Sequence, residues 1–357
     1  MADLSTTVVG IPLEHPVLLA SGPLSYDGEA IARAHRAGAA AVVTKTISCR
    51  PARNPVPHLS ITEQGVLNCE LWSDVRAEQW IHHEIPLAKE SGAIVIASIG
   101  PAVGDVQELA RAVARAGADA LEVVSYDPAE LPRMSGEAAD RAGLPVLSKV
   151  NALWPRLGAI ASECRDHGAQ GITAVDSLGP ALRIDVQRRR PLLGSPSCWL
   201  SGAALLPLAL RAVAVVHQAT GGPVVATGGV SSGRDALEMI LAGGTAVGVC
   251  SLPLIKGLLS FASLRAQLDA ELARAGFSVA EKAIGAALPA LATTPGSQRM
   301  QLAWSRELCT ECGRCVAICP YAARSEPGTS DLSKCRLCGL CASVCRTGGL
   351  LLEEGSP

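Results

Sequence analysis

The sequence predicts an α/β protein: a TIM (β/α)8 barrel followed by a small, cysteine-rich α+β domain. Three observations carry this. Short β-branched runs alternate with Ala-rich amphipathic stretches about eight times within roughly 270 residues, which is the size and rhythm of such a barrel. Several helical stretches end in Ala-Gly-Ala or His-Gly-Ala just before the next strand, where Gly supplies a left-handed cap. From Trp304 onward the composition turns cysteine-rich and short-looped. A doubly wound sheet is the other fold that this alternation allows.

Taken in order, the strands read VLLASG, VVTKT, AIVIASIG, ALEVVS, PVLSKV, GITAVDS, PVVATGG and TAVGVCS. Their nearly unbroken apolar character is that of parallel strands covered on both faces. Between them lie helical patterns such as DVQELARAVARAGAD and LPLALRAVAVVHQATG. The most apolar long stretch, LAGGTAVGVCSLPLIKGLLS, is interrupted by Gly, Pro and Lys, so it reads as a buried strand plus helix and not as a membrane span. The expected division is residues 1–276 for the barrel, 277–303 for a linker with one short helix, and 304–357 for the cysteine-rich domain.

Composition narrows the function. With 48% hydrophobic residues in 357, a sizeable core forms. The net charge of −2 has no basic stripe, and aromatics are 3%, so neither nucleic acid nor a base-stacking platform is indicated. MADLSTTVVGIPLEHP lacks the basic and apolar blocks of a signal peptide. The 13 cysteines then point to metal ligation in a reducing, cytoplasmic compartment.

Eight of those cysteines form two runs. Cys309, Cys312, Cys315 and Cys319 follow C-x2-C-x2-C-x3-C with Pro320 next, and Cys335, Cys338, Cys341 and Cys345 repeat the spacing with Arg346 in place of Pro. This is the bacterial-ferredoxin pattern for two [4Fe-4S] clusters, in which the fourth Cys of each run serves the other cluster. Cys309, Cys312, Cys315 and Cys345 are then one ligand set, and Cys335, Cys338, Cys341 and Cys319 the other. A pair of zinc sites is the competing assignment, and it does not explain a strict spacing repeated twice.

One-electron carriers joined to a barrel call for a flavin, which splits a hydride into single electrons. A barrel holds phosphate in the loops after strands seven and eight. Gly228, Gly229, Gly248, Cys250 and Ser251 lie there, and Ser201 and Gly202 form a third Gly-containing turn. Each turn alone is equally an ordinary βα connection.

The segments HPVLLASGPL, VVTKTIS, GVLNCELWSD, IVIASIG, AGADALEV, LSKV, GITAVDS, LSGAALLPLALRAV and ATGGVSSG resemble the flavin domain of the dihydroorotate and dihydropyrimidine dehydrogenases. The tail resembles the two-cluster domain that follows this barrel in dihydropyrimidine dehydrogenase. The resemblance implies FMN, with Ala20, Ser21 and Gly22 near its ring and Lys45 and Lys149 facing it. It implies substrate contacts from Asn68 and Glu70, and commonly a homodimer.

The pattern departs from the family in the loop after strand four. The family reads roughly L-E-x-N-x-S-C-P, where the Cys is the general acid/base; this chain reads LEVVSYDP. Asp127 takes the place of Cys, Val124 that of a substrate-binding Asn, and Tyr126 that of Ser. Asp127 is an acid/base or a turn cap, and Tyr126 a second proton donor. Asp176 and Ser177 stand where the family prefers Asn-Thr. The short interval from Asp127 to Lys149 implies loss of the usual flap and of part of helix four. Cys49, Cys69 and Cys198 are candidates for a displaced proton donor, Cys164 reads as core, and His58 is a further candidate for substrate contact.

The expected function is reversible hydrogenation of a C=C bond in a small, cyclic, amide-like substrate, divergent from the pyrimidine enzymes. Electrons are exchanged through the two clusters. No G-x-G-x-x-G opens a helix, so the expected electron partner is a ferredoxin or an FAD subunit that binds NAD(P)H. Two alternatives stand beside it: a true dihydropyrimidine or dihydroorotate dehydrogenase using Asp127, and an electron-transfer subunit without substrate chemistry.

Overall fold

The computed structural model describes residues 2–291 and 299–355. It divides the chain into two compact units, Met1–Leu288 and Pro289–Pro357. Part of the expected linker, residues 292–298, lies outside the described residues.

The first unit is a closed barrel of eight parallel strands in sequence order. They are β1 (Val17–Leu19), β2 (Val42–Val43), β3 (Val95–Ile99), β4 (Ala120–Val124), β5 (Val146–Val150), β6 (Gly171–Ala174), β7 (Val224–Thr227) and β8 (Ala246–Val249). The helices that follow β1 and β3 to β8 are α1 (Gly28–Arg36), α2 (Val103–Arg115), α3 (Leu131–Ala142), α4 (Leu157–Asp166), α5 (Leu206–Thr220), α6 (Gly233–Leu241) and α7 (Ser260–Arg274). After β2 the helical path is broken, running Ala77–Gln79, Trp80–Glu84 and Ile85–Glu90 with its middle part widened to π-helical spacing. Gly38, Gly117 and Gly168 take φ near +100° after their helices, the left-handed region that a Cβ disfavours. Asp27 and Ser232 cap α1 and α6 by accepting the backbone N–H of Ala30 and Asp235.

Strand parity sorts the interior. Outward residues such as Val95, Ala97, Leu121, Val123, Val146 and Val150 join the large core between strands and helices. Inward residues Leu18, Val43, Ile96, Ala120, Leu147, Val225 and Ala246 form a second cluster with Val8, Val9 and Leu13. Those last three come from an antiparallel hairpin, Thr6–Val8 with Ile11–Leu13, which closes the N-terminal mouth. Two residues further along β3, β4 and β5, the inward positions become Ser98, Glu122 and Lys149, all buried. The lumen is thus apolar at one end and polar at the end where the strands finish, as in barrel enzymes.

Two long excursions build a roof at the polar end. Leu59–Thr62 and Gly65–Asn68 follow β2, while Leu178–Ala181 and Cys198–Ser201 follow β6. Together they form one four-stranded sheet, with Trp199 opposite Asn68. After β4 no such excursion exists: six residues separate Val124 from Leu131, so the flap is absent. The helix that follows strand β4, α3, runs 12 residues with Leu131, Met134 and Ala138 buried. The short loop and the helix are independent, because the helix has its own apolar stripe to bury.

Residues 277–288, expected as linker, pack on the barrel. Asp3 donates its N–H to the Ser278 carbonyl, and Ala280 and Ala283 enter the core. The segment expected to be most apolar forms β8 and a short helix, Ser251–Lys256. The one described helical stretch long and apolar enough to cross a membrane is instead Ala203–Thr220. It contains α5, which packs against β7, β6 and α4.

The second unit pairs Met300–Trp304 antiparallel with Leu350–Glu354, and places two single-turn helices, Arg314–Ala317 and Leu340–Ser343, between them in sequence. Its cysteine loops turn through left-handed residues at matching places, Glu311 and Gly313 in one and Leu337 and Gly339 in the other.

Candidate active site and cluster cavities

At the polar end of the barrel two adjoining cavities share Ser21, Gly22, Asn68, Lys149, Asp176 and Ser177. The first is also lined by Ala20, Ser201, Thr227, Gly228, Gly229, Gly248, Cys250 and Ser251. Its glycines are places where backbone comes close. A Cβ on Gly248 would stand 2.4 Å from Thr227 Cγ2, and one on Gly229 2.5 Å from the Leu206 nitrogen. The N–H groups of Gly228 and Gly229 donate to no described protein acceptor, and Ser251 Oγ lies 2.9 Å from Ser201 Oγ. Free amides, paired hydroxyls and side-chain-free walls are the donor set that a phosphate wants. These residues fit FMN. Gly202 belongs to the same turn, approaching Gly65 of the roof.

The second cavity adds Lys45, Thr46, Glu70, Leu71, Val124, Tyr126 and Trp199. Lys45 Nζ is 2.7 Å from Glu70 Oε2, and Glu70 Oε1 is 3.4 Å from His58 Nε2. Lys149 Nζ is 3.4 Å from Asp176 Oδ1 and 3.7 Å from Glu122 Oε1. Burial acts to lower the Lys149 pKa, but the carboxylates of Asp176 and Glu122 outweigh it and hold the ammonium well above its ordinary value. Asn68 accepts the Glu70 N–H through Oδ1. Asp176 accepts the Ser177 N–H. The Tyr126 phenol is pushed up to about 12, first by burial and then by the Asp176 carboxylate, against the pull of Lys149. The residue is 54% exposed overall and lines the second cavity. Its ring lies 6.2 Å from that of Trp199, tilted by 31°.

Other candidates are not brought here. Asp127 is exposed, lines neither cavity, and accepts the Ala129 N–H at 2.9 Å. Its own N–H and carbonyl are tied to Ser125 Oγ, so the segment closes on itself as a turn. Cys49 bonds Glu108, Cys69 the Pro57 carbonyl and Cys198 the Ala181 carbonyl, and none of the three lines either cavity. Cys164 is fully buried in the core. Glu122, Ser98, Thr46 and Trp199 are among the residues that the sequence reading did not name as site members. Ser98 Oγ donates to Glu122 Oε1 at 3.3 Å and lies 3.1 Å from Thr46 Oγ1, which links the buried carboxylate to the cavity wall. A charged residue inside the apolar run ALEVV was the available signal for Glu122.

In the second unit the eight cysteines line two cavities, four to each. Cys309, Cys312, Cys315 and Cys345 line one, and Cys319, Cys335, Cys338 and Cys341 the other. Among the described residues no group of three or more Cys, His, Asp or Glu is arranged to hold a single ion, which is the arrangement zinc requires. Thiols spread around a cavity suit a cubane instead. The Arg314 N–H holds the Cys312 thiol below its usual range, and the Ala323 N–H does so for Cys319.

The dihydroorotate dehydrogenase profile matches residues 3–272. The chain belongs to the dihydroorotate dehydrogenase family. Two 4Fe-4S binding domain profiles match residues 302–325 and 332–348. Among similar proteins, the catalytic subunit of dihydroorotate dehydrogenase B (NAD(+)) from Desulforudis audaxviator is 32% identical over 299 residues, covering 79% of this chain and 97% of the relative. The proteins of the same name from Methanothermobacter thermautotrophicus and a Geobacter species are 29% and 31% identical, covering 80% and 69% of this chain and 98% and 86% of themselves. This family member is therefore a flavin oxidoreductase acting on CH–CH groups, with FMN and two [4Fe-4S] clusters as cofactors.

Proposed function

We propose that the protein hydrogenates, reversibly, a C=C bond in a small, planar, amide-like ring that is neutral or cationic, exchanging electrons through its clusters. One observation carries the substrate class. Both cavity ammoniums, Lys45 and Lys149, already face carboxylates, and the set holds three acids (Glu70, Glu122, Asp176) against two lysines, with the His58 imidazole also turned to Glu70. No cation is left over for an anionic substrate, while Asp176 and Glu70 accept hydrogen bonds from ring N–H groups.

FMN, when bound, supplies hydride exchange at one carbon and passes electrons singly to the clusters. The chain's own residues do the rest. Tyr126 holds a proton on its hydroxyl at neutral pH and delivers it to the neighbouring carbon, with Asp176 and Lys149 setting its proton affinity. Asn68 and Ser177 orient the ring, and the Tyr126–Trp199 pair offers it an aromatic surface. Val124 presents an apolar wall where a donor is missing. Ser21, Gly22 and Ala20 keep the backbone close to the flavin, and Lys45 and Lys149 place positive charge beside it. Ser201, Gly228, Gly229, Gly248, Cys250 and Ser251 hold its phosphate. The cluster ligands are the two cysteine sets that share cavities.

The electron partner is a ferredoxin or an FAD subunit that binds NAD(P)H, and the setting is cytoplasmic, with two copies of the chain in the working enzyme. The relatives' names favour a second reading, oxidation of dihydroorotate. The test is anaerobic: the dithionite-reduced protein is mixed with uracil, thymine, orotate and uncharged cyclic enamides, and the flavin band is followed. Reoxidation by neutral rings but not by orotate supports the proposal. Fast reoxidation by orotate establishes the second reading. Response only to an acceptor protein makes the chain an electron-transfer subunit.

A further inference from the structure

The two cluster cavities differ in one respect that the cysteine spacing does not account for. The cavity of Cys319, Cys335, Cys338 and Cys341 is also lined by Arg324. Arg324 is 7% exposed, the one charged side chain buried among the described residues of this unit. Its Nε and Nη1 are enclosed and have no hydrogen-bond partner. Among the described residues no carboxylate pairs with it. The other cavity is lined by Arg314 and Arg346, both exposed and screened by water.

A buried guanidinium without a counter-charge is strongly unfavourable, because burial removes its hydration and nothing replaces it. The group needs an anion, and its cavity has four thiolates. Four thiolates around a 2+ cubane core carry −2 in total, and one-electron reduction makes that −3. The buried cation therefore gains more from the reduced cluster than from the oxidised one, and exposed arginines, damped by solvent, confer much less of this preference.

We propose that Arg324 is the built-in counter-ion of the cluster held by Cys319, Cys335, Cys338 and Cys341, and that it sets that cluster's reduction potential above the potential of its neighbour. The step is a one-electron reduction of this cluster by the other, with no proton or bond exchanged. An electron entering the unit comes to rest beside Arg324. This rests on the ligand sets proposed above.

The experiment is an EPR-monitored redox titration of the full chain, with iron and sulfide assays, comparing wild type with Arg324→Gln and Arg324→Lys. Eight iron atoms per wild-type chain uphold the ligand reading; fewer overturn that reading whatever the potentials do. With both clusters present, Arg324→Gln is expected to move one midpoint to lower potential and leave the other in place. Unchanged midpoints, or both moved equally, overturn the proposal. If the Gln variant fails to assemble one cluster, Arg324→Lys decides. Recovery of iron with the wild-type midpoint supports a role of charge. Failure of Lys to restore the cluster assigns Arg324 a structural role of shape and hydrogen bonding and overturns it.

Discussion

The barrel and the cysteine-rich unit both hold redox cofactors, but they are stabilised in opposite ways. The barrel buries dozens of apolar side chains in two clusters, on both sides of its strands. The described part of the second unit buries three apolar residues, Ala323, Cys341 and Leu350. A unit of that size with so small a core does not offset its chain entropy without its clusters, whereas the barrel does so without flavin. The difference teaches that cofactor loss means an empty site in one unit and an unfolded chain in the other.

Removing iron tests this with the largest effect. Anaerobic chelation should abolish protease resistance beyond residue 299 while the barrel keeps its circular dichroism and its cooperative melt. If the tail stays protected without iron, the comparison collapses. Next comes the barrel's charged lumen. Lys149→Met strips Glu122 and Asp176 of their buried partner and should cost about 3 kcal/mol or more in chemical denaturation, with loss of flavin. A loss below about 1 kcal/mol would mean that water, not Lys149, satisfies those carboxylates.

Tyr126→Phe separates chemistry from scaffold. Turnover of a reactive ring should fall by roughly 10²–10⁴-fold with flavin content and melting unchanged. Retained turnover would remove Tyr126 from the mechanism. Gly248→Ala forces a Cβ against Thr227 and should cost about 1–3 kcal/mol and weaken FMN retention, read by flavin fluorescence released on dilution. The smallest effect belongs to Asp127→Ala. It removes one exposed turn bond, so stability should change by at most about 1 kcal/mol and turnover not at all.

The same groups set an alkaline limit. Lys149 and Tyr126 both have folded pKa values raised above their unfolded ones. The folded barrel therefore keeps protons that the unfolded chain has released. Their contribution is complete below about pH 10 and is lost as pH rises through the folded values. Barrel stability measured in denaturant from pH 9 to 11.5 should fall, and Tyr126→Phe should flatten part of that fall.

Eight strands, their order, the glycine-rich turns and both cysteine runs were legible in the sequence. Each depends on local signals: β-branched runs, residue spacing and turn chemistry act over a few positions and need no distant partner. The cysteine spacing also indicated which four thiols share a cavity, through the ferredoxin pattern in which the fourth Cys of each run serves the other cluster. Long-range placement was not legible in this way. ALEVV shows a charged residue in a strand, but only barrel closure puts Glu122 inside, beside a lysine on the next strand. LEVVSYDP put Asp127 at the family's catalytic position, yet Ser125 folds that turn away from the cavity and leaves Tyr126 facing it. Trp199 reaches the site from an excursion more than a hundred residues beyond Asn68, through sheet pairing that no local pattern encodes. Tertiary structure decided these, because a side chain's electrostatic surroundings are made by residues remote in the chain and near in space.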